Sequence, residues 1–96
     1  MPLLLHVMYT TKENKRDAFY ELINRLEIPQ KSRAEEDNCR YDYFIPYDTK
    51  NQIFLVEVWK TKEGFENHKK MPHFLELQAL KEDYIEGAKL DIYEIS

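Results

Sequence analysis

The sequence predicts an α+β domain of ferredoxin-like order, β-α-β-β-α-β, with a four-stranded antiparallel sheet. Three observations lead there. Residues 3–10, 39–46, 52–60 and 88–95 are short segments of strand length and character. The stretches 12–28 and 72–85 space their apolar residues as helices do. Pro29, Pro72 and Gly87 stand at the seams between segments.

The first strand ends at Thr10-Thr11, which suits a helix N-cap. Phe19, Leu22, Ile23 and Leu26 then form one helical stripe, and Pro29 is expected to stop that helix. Segments 39–46 and 52–60 are rich in Tyr, Phe, Ile and Val. Tyr47-Asp48-Thr49-Lys50-Asn51 between them reads as the loop of a hairpin. If Ile45 pairs with Ile53, then Tyr43 meets Leu55, Tyr41 meets Glu57 and Cys39 meets Trp59. A short helix is expected near 62–69. Pro72 opens another with Phe74, Leu77 and Tyr84 turned inward, and Gly87 ends it.

Right-handed crossovers place both helical segments on one side of the sheet. The other side would be polar in a monomer. The first strand instead offers Leu3, Leu5 and Val7 on one face and Leu4 and Met8 on the other. The third offers Ile53, Leu55 and Trp59 against Phe54, Val56 and Val58. Two apolar faces need two covers, so a homodimer closed sheet to sheet is expected.

At 96 residues the chain is expected to be one domain spanning 1–96. The formal charge of −4 argues against a nucleic-acid partner, which demands a basic face. Clusters such as Lys12 to Arg16 and Lys60 to Lys62 read as solvated helix ends. Cys39 is the lone cysteine, which excludes a disulfide framework or a thiol metal site. Leu3-Leu4-Leu5 is too short for a membrane segment, so the expectation is a cytoplasmic protein without a membrane partner. With only Gly64 and Gly87, the chain has no Gly-rich phosphate loop or dinucleotide fingerprint, and any oxidation is expected to proceed without a nucleotide cofactor.

The densest stretch is Glu57-Val58-Trp59, a charged link, then His68 and Pro72-His73-Phe74: E-x-W followed by H-x-x-x-P-H-F. A second patch is Ser32-Arg33-Ala34-Glu35 followed by Cys39-Arg40-Tyr41. Together these resemble the antibiotic biosynthesis monooxygenase family, small proteins of the dimeric α+β barrel superfamily. The second patch matches a family pattern S-R-x-E-x-G-x-x-x-Y, except that Glu36-Asp37 stands where the family often has Pro-Gly. The resemblance covers nearly the whole chain. It implies a dimeric α+β barrel and an oxygenase free of metal and flavin.

His68 and His73 are the candidate bases, because imidazole takes a proton near neutral pH. Their plain alternative is a helix-end histidine and a packing histidine beside Phe74. Glu57 lies in an otherwise apolar strand, so it must find a hydrogen-bond partner or carry a raised pKa. It is a structural carboxylate, a directly catalytic one, or one that orients a histidine. Tyr41, Trp59 and Phe74 offer aromatic walls for a planar ligand or serve as ordinary core. Arg33 is a candidate partner for an anionic intermediate, or it pairs with Glu35 or Glu36. A metal site from His6, His68, His73 and Glu57 has no compact ligand spacing behind it, and none is expected.

The resemblance implies oxidation of a small electron-rich aromatic, such as a quinol or hydroxynaphthalene, with dioxygen. Two alternatives stand beside it: an oxygen-independent isomerase or proton-transfer enzyme, and a non-catalytic ligand-binding dimer. Haem-cleaving relatives place an Asn on strand one, a Trp in the helix and a His ten residues on. Here strand one lacks Asn, and His68 and Gln78 occupy the other two positions, which argues against haem.

Overall fold

The computed structural model describes residues 1–96. Strand β1 (Leu3–Thr11) leads to helices α1 (Arg16–Arg25) and α2 (Ile28–Arg33). Strands β2 (Asn38–Phe44) and β3 (Gln52–Trp59) follow as a hairpin. Helices α3 (Lys62–His68) and α4 (Pro72–Leu80), a single 3-10 turn (Lys81–Asp83) and β4 (Ile85–Glu94) complete the chain. The sheet runs β2-β3-β1-β4, antiparallel throughout. This is the ferredoxin-like arrangement expected from the order of segments.

Three departures from the sequence reading have a clear local reason. Thr11 is the last residue of β1 rather than a cap. Its amide and its hydroxyl both bond the Asn51 carbonyl, which keeps the chain in the sheet for one more residue. The first helix breaks before Pro29, at Glu27, whose backbone is left-handed with φ 55. Pro29 then lies in the first turn of α2, where its missing N–H costs nothing. Gly87 lies inside β4, and the preceding helix has already tightened into the 3-10 turn.

The hairpin register is as expected for Tyr43–Leu55 and Tyr41–Glu57. Trp59 faces Asn38 rather than Cys39. A bulge between Asn38 and Arg40 absorbs Cys39, which is exposed.

Strand alternation assigns the two faces. Leu3, Leu5, Val7 and Tyr9 of β1 point to the helices, together with Ile53, Leu55, Glu57 and Trp59 of β3. Phe19, Leu22 and Ile23 of α1 and Ile28 of α2 close over them, and Leu5, Phe19, Ile53 and Trp59 are fully buried. Each such side chain contributes about 1.5–3 kcal/mol relative to exposure. The opposite face carries Leu4, His6, Met8, Phe54 and Val58, all half-buried, and no helix covers it. No helix is long and apolar enough to cross a membrane.

Candidate active site

Glu57 is the starting point. Alternation along β3 directs its side chain to the helix face, between Leu5 of β1 and Tyr41 of β2, and leaves the residue 5% exposed. Trp59, two residues on, shares that face, and its indole Nε1–H donates to Glu57 Oε1 at 3.0 Å. A carboxylate in an apolar strand thus meets its need for a donor locally.

Helix α3 delivers the next group. Its N-cap is Thr61, whose hydroxyl accepts from the Gly64 amide at 2.9 Å and donates to Asp37 Oδ2 at 3.1 Å. A side chain at Gly64 would collide with the Asp37 Cβ, so glycine permits this close approach. The helix is thereby tied to the start of β2, and His68 in its last turn is pressed into the core. The His68 ring lies 4.7 Å from Trp59, 5.6 Å from Tyr41 and 5.2 Å from Phe74, centroid to centroid.

Behind His68 stands Glu35, in the turn between α2 and β2. Its Oε2 accepts from His68 Nδ1 at 2.6 Å and from His73 Nε2 at 2.8 Å. A carboxylate only accepts, so both ring nitrogens carry hydrogens, and the His68 Nε2 lone pair is left facing Glu57 Oε1 at 4.0 Å. The side chains of Glu35, His68 and His73 are 8%, 2% and 9% exposed. A buried chain of groups therefore runs Glu57, His68, Glu35, His73.

The electrostatics follow from burial. Desolvation pushes the Glu57 carboxyl up to about 7. The Trp59 hydrogen bond opposes that rise, and the Glu35 charge adds to it. Burial lowers the His68 pKa against the pull of Glu35 and so favours the neutral ring. Tyr9, Tyr41 and Tyr43 are all raised, first by burial, and stay protonated.

Beside this chain, on the same face, a cavity of about 560 Å³ opens between β1, β4 and helices α3 and α4. Leu5, Val7, Phe65, Phe74, Leu90 and Ile92 make it largely apolar, and Glu57 lines it as well. Its size suits a small ligand. A second cavity of about 150 Å³ lies behind, lined by Glu35, Asp37, Trp59, Gly64 and Met71 among others.

Of the residues singled out from sequence, Glu57 and Phe74 line the larger cavity. His68 and His73 stand behind Glu57, and Trp59 borders the smaller cavity. Tyr41 is 3% exposed and packs edge-on to His68, with its hydroxyl 3.5 Å from that of Tyr43. Arg33 lies elsewhere: its Nε–H donates to the Tyr41 carbonyl and its NH2 group to Asp42, each at 3.0 Å, so it is not brought to either cavity. His6 is on the opposite sheet face, against Phe54 and Tyr93, apart from the other histidines. Sequence reasoning passed over Glu35 as a partner of the histidines, although it is the glutamate of the Ser32-Arg33-Ala34-Glu35 patch.

Glu35, His68 and His73 offer metal-ligand atoms within 4.8 Å of one another. Two imidazoles and a carboxylate are a donor set that divalent transition metals accept. Here the carboxylate oxygen contacts both rings at hydrogen-bond separations, so the three side chains satisfy one another directly.

Comparisons with known proteins agree with this architecture. Residues 2–80 match the family described as antibiotic biosynthesis monooxygenase. A curated relative from Bacillus subtilis (strain 168), "Putative monooxygenase YcnE", is 30% identical over 90 residues, covering 94% of this chain and 92% of that protein. Among solved structures, a "putative antibiotic biosynthesis monooxygenase" from Nitrosomonas europaea superposes with a TM-score of 0.89 at 26% identity, covering 98% of this chain and 89% of that one. PA3566 from Pseudomonas aeruginosa superposes with a TM-score of 0.87 at 25% identity, covering 99% and 95%. Matched along most of its length by sequence and by structure, the chain belongs to the antibiotic biosynthesis monooxygenase family.

Proposed function

We propose that the protein is a cofactor-independent monooxygenase that oxidises a small electron-rich aromatic with dioxygen. The observation that carries this reading is the Glu57 carboxyl, poised near neutrality on the wall of an apolar cavity and backed by neutral His68. A base with a pKa near the working pH is best placed to take and return a proton.

For a hydroxynaphthalene the steps balance as follows. Glu57 removes the phenolic proton, and the aryl oxide passes one electron to dioxygen, giving an aryloxyl radical and superoxide. The pair combines at the para carbon to form a C–O bond, and the proton held by Glu57 returns to the outer oxygen as a hydroperoxide. Glu57 then takes the proton on that carbon while the O–O bond breaks. The departing hydroxide collects the proton as water, leaving the quinone. One dioxygen and one naphthol give one naphthoquinone and one water. With substrate seated, its own ring and the largely apolar walls together keep water from the aryl oxide and the radical pair. Glu57 ends the cycle as it began, and Glu35, bonded to His68 and His73, holds the His68 ring in place behind it.

The same chain of groups also supports a second reading, an oxygen-independent proton transfer on a small metabolite, since it moves protons without needing an oxidant. The uncovered sheet face favours a homodimer closed through Phe54, Val58, Leu4 and Met8.

Oxygen uptake by metal-stripped protein against a panel of hydroxynaphthalenes and quinols is the test, with ¹⁸O₂ label followed into the product. Protein-dependent uptake with label in the quinone supports the oxygenase. Turnover of a tautomerisable substrate at the same rate without oxygen supports the second reading instead.

A further inference from the structure

The cavity is electrically lopsided, and the asymmetry bears on what it takes. At the Leu3 end of β1, Lys62 and Lys69 of the α3 region stand with Glu66 and Glu94, two cations against two anions. Lys69 and Glu66 are paired at 3.1 Å. At the other end Tyr9 is flanked by Ala88 of β4, and the cation there is Lys81. The Lys81 Nζ lies 6.0 Å from the centre of the Tyr9 ring, and it makes no ion pair with any carboxylate of the chain. Burial lowers its pKa, with the Glu82 charge opposing, so the free ammonium is held at a cost that an anion would offset. Between the two ends lie Leu5, Val7, Leu90 and Ile92. The last two are each 50% exposed and form an apolar floor that nothing in the chain covers.

We propose that the cavity takes an amphipathic acid: an apolar ring system bearing one carboxylate, received by the Lys81 ammonium at the Tyr9 end. The inference rests on the reading of this cavity as the substrate site, and it fixes the direction in which substrate lies. The ring covers Leu90 and Ile92, and the edge facing Glu57 carries the reacting proton. Glu57 pairs with Leu5, four residues along β1 from Tyr9. The two strand positions are therefore about 13 Å apart, a distance that a two-ring acid and the reach of the Lys81 side chain span together. A single ammonium matches one negative charge, which favours a carboxylate over a dianionic phosphate.

Anaerobic calorimetric titration tests this without turnover, using 2-naphthoate, its neutral analogue 2-naphthamide and 2-naphthyl phosphate. Wild type is expected to bind naphthoate at least tenfold tighter than naphthamide, and naphthyl phosphate no tighter than naphthoate. Lys81→Gln should erase the preference for the acid while leaving naphthamide binding unchanged, and Lys81→Arg should restore much of it. Lys89→Gln, which removes a charge 80% exposed beside Asp91 on the other face, should change nothing. Equal binding of acid and amide, no binding of either, or an unchanged naphthoate Kd in Lys81→Gln overturns the proposal. Tighter binding of the phosphate overturns the carboxylate assignment. Neutral naphthols oxidised by a protein with no preference for acids would sink this inference and leave the proposed oxygenase standing.

Discussion

The Oε2 atom of Glu35 lies 2.6 Å from Nδ1 of His68, and that contact decides what His68 can do. An acceptor at Nδ1 keeps the hydrogen there and leaves the Nε2 lone pair directed at Glu57, 4.0 Å away. That separation exceeds direct hydrogen-bond reach, and catalytic contacts of unliganded sites commonly tighten when substrate arrives. Glu35 is a positioning residue in this account, and Glu57 is the group that meets the substrate.

Glu35→Gln should therefore release the tautomer. Activity is expected to fall about 10- to 100-fold, in the range of lost orienting partners. Stability should fall by about 1–3 kcal/mol, as for other unsatisfied buried groups. The ¹⁵N shifts of the His68 ring report the tautomer directly. Unchanged shifts would show that Glu35 does not set the tautomer, and a changed tautomer with full activity would make its role structural alone.

Glu57→Gln should separate activity from stability. The folded carboxyl titrates at about 7, above its ordinary value of 4.5. A raised pKa means that the folded state holds the proton more tightly. The contribution of Glu57 is thus fully present below about pH 4.5 and is lost as pH rises to about 7. The loss is on the order of a few kcal/mol. The variant should match wild type near pH 4.5 and melt higher than wild type at pH 8, while losing turnover. Melting curves at the two pH values check the sign.

His68 and His73 differ in burial, so their truncations should differ. His68 is 2% exposed and touches Trp59, Tyr41 and Phe74. His68→Ala should cost about 2–4 kcal/mol through the cavity it leaves, in addition to activity. His68→Gln is the fairer probe of chemistry. His73→Gln, nearer the surface, should slow turnover with a loss of about 1 kcal/mol. Denaturant titration beside steady-state kinetics separates the two effects.

Gly64 and Asp37 are predicted to be coupled. Gly64→Ala should destabilise by about 1–3 kcal/mol, because the new Cβ meets the Asp37 Cβ. Asp37→Gly in that background should recover much of the loss, even though it removes the bond to Thr61. A double-mutant cycle measures this, and strict additivity would show that the helix shifts freely instead.

Much of this arrangement was legible in the residues. Strand alternation and the expected hairpin register place Tyr41 and Glu57 side by side, as they are in the sheet. The buried Glu57 and its need for a partner followed from its apolar neighbours. What stayed hidden depended on tertiary approach. Glu35 reaches His68 from 33 residues away, across a turn that the sequence marks only as polar. Arg33 carries a charge that suits an anion, but proximity to β2 commits it to Asp42 and the Tyr41 carbonyl. The break at Glu27 rests on one left-handed residue, which no periodicity announces. Nothing in the sequence marks Lys81, because the cavity it borders is built by β4 and the chain's return to the sheet.

The most direct test of the central claim, that Glu57 is the base of an oxygen-dependent reaction, is the pH dependence of oxygen uptake with a hydroxynaphthalene in wild type and Glu57→Gln. The account predicts a kcat/KM that rises with pH through a midpoint near 7 in wild type, with that limb and nearly all uptake gone in a folded variant. Uptake in Glu57→Gln that keeps the wild-type rate and the same midpoint would contradict it.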